Sequence, residues 1–357
     1  MPRVMRYDLL IIMGSRPAAA KPRVTAVAIL AAFSALIGGC EDQRVPDAVA
    51  EAIRKDISEQ KLIAMVAAGR DDPLWPILKH SAQRYADAAG KVRFEFIEPA
   101  GNSPNDQLRA IRSLSDPMLR GVCIQPTDVA AISPELQRLQ NRGIAIVSMI
   151  QPLPDDLRVA HVGFDASEIG VALADATAEA LGGTGSIMVL HAGPNHDVYG
   201  PRYLAFATRM RRYSKIEVFA DVNCDATPRR ARELIQERSA RYPRLSAWVA
   251  MDDWPLQLLS AGDEPLPEAV RLITFGGLPH QWPLIRRGVI PVCVAVNYND
   301  LGKEAALSCH LAALGKPALH SIHKASLRTI TANNLDAYIR DWAFWSQGRM
   351  ENTTPPR

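Results

Sequence analysis

Apolar and polar positions follow two rhythms along the chain. Short runs rich in Val, Ile, Ala and Phe recur at 62–68, 92–98, 121–126, 145–150 and 160–164, and again at 186–192, 216–222, 247–251, 272–277 and 291–296. Their length and β-branched content predict buried strands. Between them the apolar period lengthens. In 73–89, apolar residues fall at 74, 77, 78, 82, 85, 86 and 89, the spacing of one helical face. The segments 106–116, 134–142 and 167–181 behave alike. Strands spaced by helices build βαβ units and a parallel sheet. Two such series, divided near Gly163-Phe164-Asp165, predict an α/β protein of two lobes.

Turn chemistry supports the division. Asp165 stands three residues before Glu168, an N-cap pattern. Gly182, Gly183 and Gly185 follow a helical run and precede a strand, whereas a phosphate loop follows a strand and opens a helix. They read as a helix C-cap turn.

The first 39 residues stand apart. They hold five basic residues (Arg3, Arg6, Arg16, Lys21, Arg23) against Asp8, so the rest of the chain has a net charge of −1 out of the total +3. A near-neutral body lacks the basic face of a dedicated nucleic-acid binder. The uncharged run 25–39 follows Lys21 and Arg23, as in a secretory signal. As a helix it would rise roughly 22 Å, short of the ~30 Å bilayer core, which disfavours a permanent span. It ends in Ile37-Gly38-Gly39-Cys40 and resembles the lipobox of bacterial lipoproteins, with Ile37 where Leu is commoner. That resemblance implies cleavage before Cys40, acylation of its thiol, and anchoring of the exported chain to a membrane. Residues 40–60 read as a tether and 346–357 as a polar tail.

Enzyme signatures are missing. There is no GxSxG, Walker loop or HExxH. The four later cysteines show no zinc spacing; Cys123 and Cys293 lie in apolar runs and read as buried thiols. No disulfide among Cys123, Cys224, Cys293 and Cys309 is favoured. His320 and His323 form an HxxH outside a helix, and His191, His196 and Asp197 cluster without a nucleophile. No catalytic residue, metal or cofactor is expected.

From about residue 61 to 340 the order of runs resembles periplasmic sugar-binding proteins of the ribose-binding type, the substrate-binding components of ABC transporters. The resemblance rests on spaced markers. Asp72-Pro73-Leu74-Trp75 stands where the family has Asn-Pro-Phe-Phe, and Gln125-Pro126-Thr127-Asp128 matches Asn-Pro-Thr-Asp. Val162-Gly163-Phe164-Asp165 falls at the first crossing between lobes. Arg202 aligns with a ligand-binding arginine, Met251-Asp252-Asp253 with Gln-Asn-Asp, and Phe275-Gly276-Gly277 with part of Gly-Phe-Asp-Gly.

The resemblance implies two lobes joined by a three-strand hinge: 61–164 with 297–325, and 165–296 with 326–345. Ligand-binding candidates are Asp72, Trp75, Gln151, Arg202, Asp252, Phe275 and Asn297. Trp75, in the first helical turn after a strand, is expected to face the cleft. Asp72 is open between helix cap and ligand contact, Phe275 between core and ligand contact. Asp253 is expected to be structural. Three positions depart from the pattern: Ile150-Gln151 replaces an Asp-Arg pair, Gly276 an Asp, and Val296-Asn297 a Gln. The implied function is capture of a small polar ligand, carbohydrate or similar, by lobe closure, and delivery to an ABC permease. The alternatives are presentation to a membrane sensor, or an enzyme using the cleft. No nucleic-acid partner is expected.

Overall fold

All ten apolar runs become strands, the central ones covered on both faces and the edge runs 92–98 and 216–222 partly exposed. The computed structural model describes residues 61–347, apart from 91, 258–265, 268–269 and 319–321. The leader, Cys40, the tether, His320 and residues 348–357 lie outside the described residues.

The first sheet takes β1 (Lys61–Val66), β2 (Val92–Ile97), β3 (Leu119–Ile124), β4 (Ala145–Met149) and β5 (Ala160–Gly163), with a short β11 (Ile322–Lys324). Its order is β11-β5-β4-β3-β1-β2, and all pairings are parallel. The second takes β6 (Gly185–His191), β7 (Ile216–Asn223), β8 (Ala247–Ala250), β9 (Leu272–Gly276) and β10 (Cys293–Val296), with β12 (Leu327–Ile330). Its order is β12-β10-β9-β8-β6-β7; β12 alone is antiparallel, against β10. The central strand β1 is buried from Leu62 to Val66, the continuous apolar run of a strand covered on both faces. The edge strand β2 instead buries Val92 and Phe94 and exposes Arg93 and Glu95.

Helices cover the sheets: α1 (Trp75–Ala89), α2 (Pro104–Arg112), α3 (Val129–Gln140), α4 (Ala166–Ala180), α5 (Gly200–Met210), α6 (Pro228–Arg241), α7 (Trp282–Arg286), α8 (Tyr298–Ala313) and α9 (Leu335–Gln347). Local chemistry sets their ends. Ser103 and Asp106 form a reciprocal capping box on α2. The Asp165 carboxylate accepts from the Ser167 and Glu168 amides at the start of α4. At its end, Gly182 and Gly183 take φ of +60° and +77°, and the Gly183 amide donates to Ala178. α3 begins earlier than its proline suggested. Asp128 caps it through the Ala131 amide, and Pro134 sits inside the helix rather than at its first turn.

The chain passes between the sheets after β5, after β10 and after β11. The three passages lie side by side. The Asn297 amide donates to Ser326 at 2.9 Å and the Ala325 amide to Gly163 at 2.8 Å, while Lys324 pairs with Asp165 and Glu168. α8 packs on β3 and β4 of the first sheet. Residues 326–345, expected with the second lobe, divide instead. β12 joins the second sheet, but α9 packs on α1 of the first lobe and also touches α7 of the second. Its aromatic face explains this: Trp342 meets Trp282 of α7 at 5.7 Å and Tyr298 of α8 at 5.9 Å between centroids.

Candidate functional site

Each sheet reverses its strand order once, between β1 and β3 in the first and between β6 and β8 in the second. Loops leaving the carboxyl ends of strands on either side of such a reversal diverge and open a crevice. Asp72 follows β1 and Gln125 follows β3. Arg202 follows β6 and Asp252 follows β8. The two reversals are thus furnished alike, with one polar residue on each side.

The first is braced by Gln107 of α2, which is fully buried. Its Nε2 donates to the carbonyls of Ala67 and Gln125 at 2.8 and 2.7 Å, and its Oε1 accepts from the Thr127 amide and hydroxyl. One side chain therefore ties the loops after β1 and β3 together. Asp72 stands on the loop after β1. Its Oδ1 accepts from the Leu74 amide at 3.0 Å, so it does help to begin α1, but its Oδ2 is buried without a partner. Burial raises its pKa from the ordinary carboxylate value, only partly countered by the Leu74 amide. Gln125 Oε1 is likewise buried and unpartnered.

Arg202 plays the bracing part in the second. It is 1% exposed, and its Nη1 donates to the Met251 carbonyl and to Asp252 Oδ2, the latter at 3.0 Å. Its guanidinium lies over Phe275, 4.4 Å from the ring centroid, and 5.4 Å from that of Tyr199. The Nε remains buried and unpartnered. Burial pushes Asp252 up to about 6, against the pull of Arg202 and with the help of the Asp253 charge. Phe275 also meets Phe164 of the first crossing, centroids 5.7 Å apart. Phe275 is therefore both core and platform.

The remaining candidates divide. Asn297, on the second crossing, donates from Nδ2 to Asp300 at 2.7 Å and keeps a buried, unpartnered Oδ1. Gln151 is half-buried at the end of β4. Its amide donates to Met149 at 2.7 Å across Ile150, a β-branched residue held at φ +64°. Such strain, of order 1–3 kcal/mol, concentrates at binding sites. Trp75 departs from expectation. It is 4% exposed, packed edge-on against Phe96, and its indole N–H donates to Glu98 at 2.8 Å. It supports the β2 side of the first lobe rather than presenting an open face.

Asp253 bonds His280 and Gln257 and is structural. His191 stacks on Tyr203, and His196 accepts from the Val198 and Tyr199 amides, so neither is paired with a nucleophile. Among the described residues no group of three His, Cys, Asp or Glu is arranged to hold a metal. Gln107 and Gln125 were not among the sequence candidates. Gln125 opens the Gln-Pro-Thr-Asp marker and was open to selection there; Gln107 lies on an ordinary amphipathic helix that gives no signal.

Residues 63–317 match the family model of the periplasmic binding protein domain. The chain belongs to the periplasmic binding protein family. No curated protein sequence matches it. Solved structures share the fold at low identity. An arabinose binding protein from Geobacillus stearothermophilus aligns with a TM-score of 0.67 at 17% identity, over 78% of this chain and 99% of that one. An ABC transporter solute binding protein from Burkholderia graminis, in complex with D-arabinose, gives 0.64 at 16% identity over 79% and 99%. A periplasmic ribose ABC transporter protein from Conexibacter woesei gives 0.65 at 17% identity over 79% and 95%. No helix among the described residues is long and apolar enough to cross a membrane.

Proposed function

We propose that this periplasmic binding protein captures a sugar or sugar-like polyol between its lobes and delivers it to an ABC permease. The observation that carries this reading is the placement of unsatisfied polar atoms. Asp72 Oδ2, Gln125 Oε1, Arg202 Nε and Asn297 Oδ1 are buried without partners, on loops and a first helical turn that flank both strand-order reversals and the second crossing. A buried polar group without a hydrogen bond costs about 1–3 kcal/mol, which a hydroxylated ligand would recover. Phe275 and Phe164 add apolar surface for the C–H face of a ring. The neighbours with arabinose and ribose in their descriptions support the ligand class.

Capture would proceed by hinge closure on the three side-by-side crossings. A ligand touching both lobes stabilises the closed form because it binds that form better. The leader places the chain outside the cytoplasm, with Cys40 acylated as its anchor. A thermal-shift screen of the body with sugars, polyols and nucleosides tests the ligand class. At least one sugar or polyol should raise the melting temperature and reduce the scattering radius. No shift in any member, or binding confined to nucleosides, would overturn it. Mass spectrometry of the mature amino terminus should find diacylglyceryl-Cys40; an unmodified terminus elsewhere would remove the anchor.

A further inference from the structure

The four unsatisfied atoms are unequal in kind. Three accept: Asp72 Oδ2, Gln125 Oε1 and Asn297 Oδ1. One donates: Arg202 Nε. A neutral hydroxyl donates one hydrogen and accepts in return, so a plain polyol brings no surplus of donors. An ammonium group has three donors and no acceptor. The site therefore favours a ligand richer in donors than a neutral sugar.

Charge points the same way. Asp252 is already paired with Arg202, and Asp253 with His280. Lys79, the cation on the neighbouring helical turn, pairs with Glu98. Asp72 has one backbone amide on Oδ1, and among the described residues no cation pairs with it. The polar set thus holds a carboxylate that meets one backbone amide and no cation among the described residues. Leaving such a group buried costs several kcal/mol unless a proton or a cation meets it. Asp72 and Gln125 flank the same reversal, and Gln107 holds their two loops together. The chemistry of their two acceptors matches the donors of one –NH3+ group.

We propose that the ligand is a hydroxylated cation, a sugar- or polyol-sized molecule with a protonated amine, and that Asp72 selects the amine. This rests on the solute-binding reading of the same cleft. Gln125 shares the ammonium, while Arg202 and Asn297 take hydroxyls.

The test is calorimetry at pH 7 with matched pairs: 2-amino-2-deoxy-D-glucose against D-glucose, 2-amino-2-deoxy-D-galactose against D-galactose, and amino-pentitols against pentitols. The amine of at least one pair should bind ten-fold or more tightly than its hydroxyl partner. In Asp72→Asn that preference should fall below three-fold. The unliganded Asp72→Asn protein should melt no lower than the parent, because the amide keeps the Leu74 contact and removes a buried charge. Neutral members binding as well as amines would overturn the inference and leave the sugar reading standing. An amine preference that survives in Asp72→Asn would overturn Asp72's role, as would a lower melting temperature of that variant. No binding in either arm would overturn both readings.

Discussion

Arg202 and Asp252 form an ion pair at 3.0 Å in which the arginine is 1% exposed and the carboxylate side chain 17%. The pair spans the strand-order reversal of the second sheet, so it shapes the cleft even before a ligand arrives. Removing one partner of a buried pair leaves the other uncompensated, a loss of about 3–5 kcal/mol. Arg202→Ala should therefore lower stability by that amount as well as weaken ligand binding. Arg202→Met with Asp252→Asn removes both charges and should recover more than half of the stability but not the affinity. Urea denaturation and calorimetry on the three proteins separate the two effects.

Arg202 also depends on a glycine in another helix. A Cβ at Gly170 of α4 would lie 2.1 Å from the Arg202 carbonyl oxygen and 2.9 Å from the Phe206 amide, both backbone atoms of α5. Helix backbone cannot rotate aside as a side chain can. Gly170→Ala should force the helices apart at a cost of about 1–3 kcal/mol. It should also displace the guanidinium from Phe275. A lower melting temperature together with weaker ligand binding is the expected pair of results; unchanged affinity would mean that α5 adjusts without moving Arg202.

The fold was legible in the chain because the inner strands of both lobes are buried on both faces. Such strands read as continuous apolar runs, and the edge strands β2 and β7 still carry enough Val, Ile and Phe to be read as strands. β11 and β12 do not: Ile322 is exposed and Leu327–Ile330 is only partly covered, so hydrophobicity gave little signal. Pro134 hid the first turn of α3, since a proline ordinarily marks a helix start. The site was legible by position rather than by contact. Arg202, Asp252 and Phe275 do come together, because loops after adjacent strands must. Trp75 illustrates the limit. Its place after β1 was plain, but the fate of its indole N–H depends on Glu98, 23 residues away on another strand end. The brace at Gln107 is long-range in the same way.

Two buried histidines set a pH dependence. Burial lowers the pKa of His161, bonded to Ser148, to about 4, and that of His310, bonded to Tyr85, to about 4. In the unfolded chain each titrates near 6.5. Between 6.5 and 4 the unfolded chain binds more protons, so stability is fully present above 6.5 and is lost as pH falls toward 4. Each histidine contributes on the order of 3 kcal/mol over that range. Asp72 and Asp252 act oppositely. Their pKa values are raised, so their protonation restores stability as pH falls through about 6 for Asp252 and lower still toward 3.8. The histidine effect should be clearest between pH 6.5 and 5, where two histidines outweigh Asp252. Denaturation midpoints should fall across that window, and His310→Gln should flatten the slope. An unchanged slope in His161→Gln and His310→Gln together would assign the dependence to other groups.

The C-terminal helix ties lobe position to packing. Trp342 is buried against Trp282 of the second lobe, Tyr298 of the first, and Tyr338 of its own helix. Tyr298 follows Asn297 directly, and its hydroxyl donates to the Gly276 carbonyl at 2.7 Å, beside Phe275. The aromatic cluster thus reaches the second crossing through Tyr298. A buried Trp→Ala change costs about 3–5 kcal/mol through lost contacts and the cavity left. Here that loss falls on a contact shared by both lobes. Trp342→Ala should therefore do more than destabilise: it should loosen the lobes against each other. Small-angle scattering of the unliganded variant should show a larger radius than the parent, and saturation with a ligand should close the difference. Trp342→Phe, which keeps an aromatic ring, should lie between the two. If Trp342→Ala melts earlier yet scatters like the parent in the absence of ligand, the cluster stabilises each lobe without coupling them.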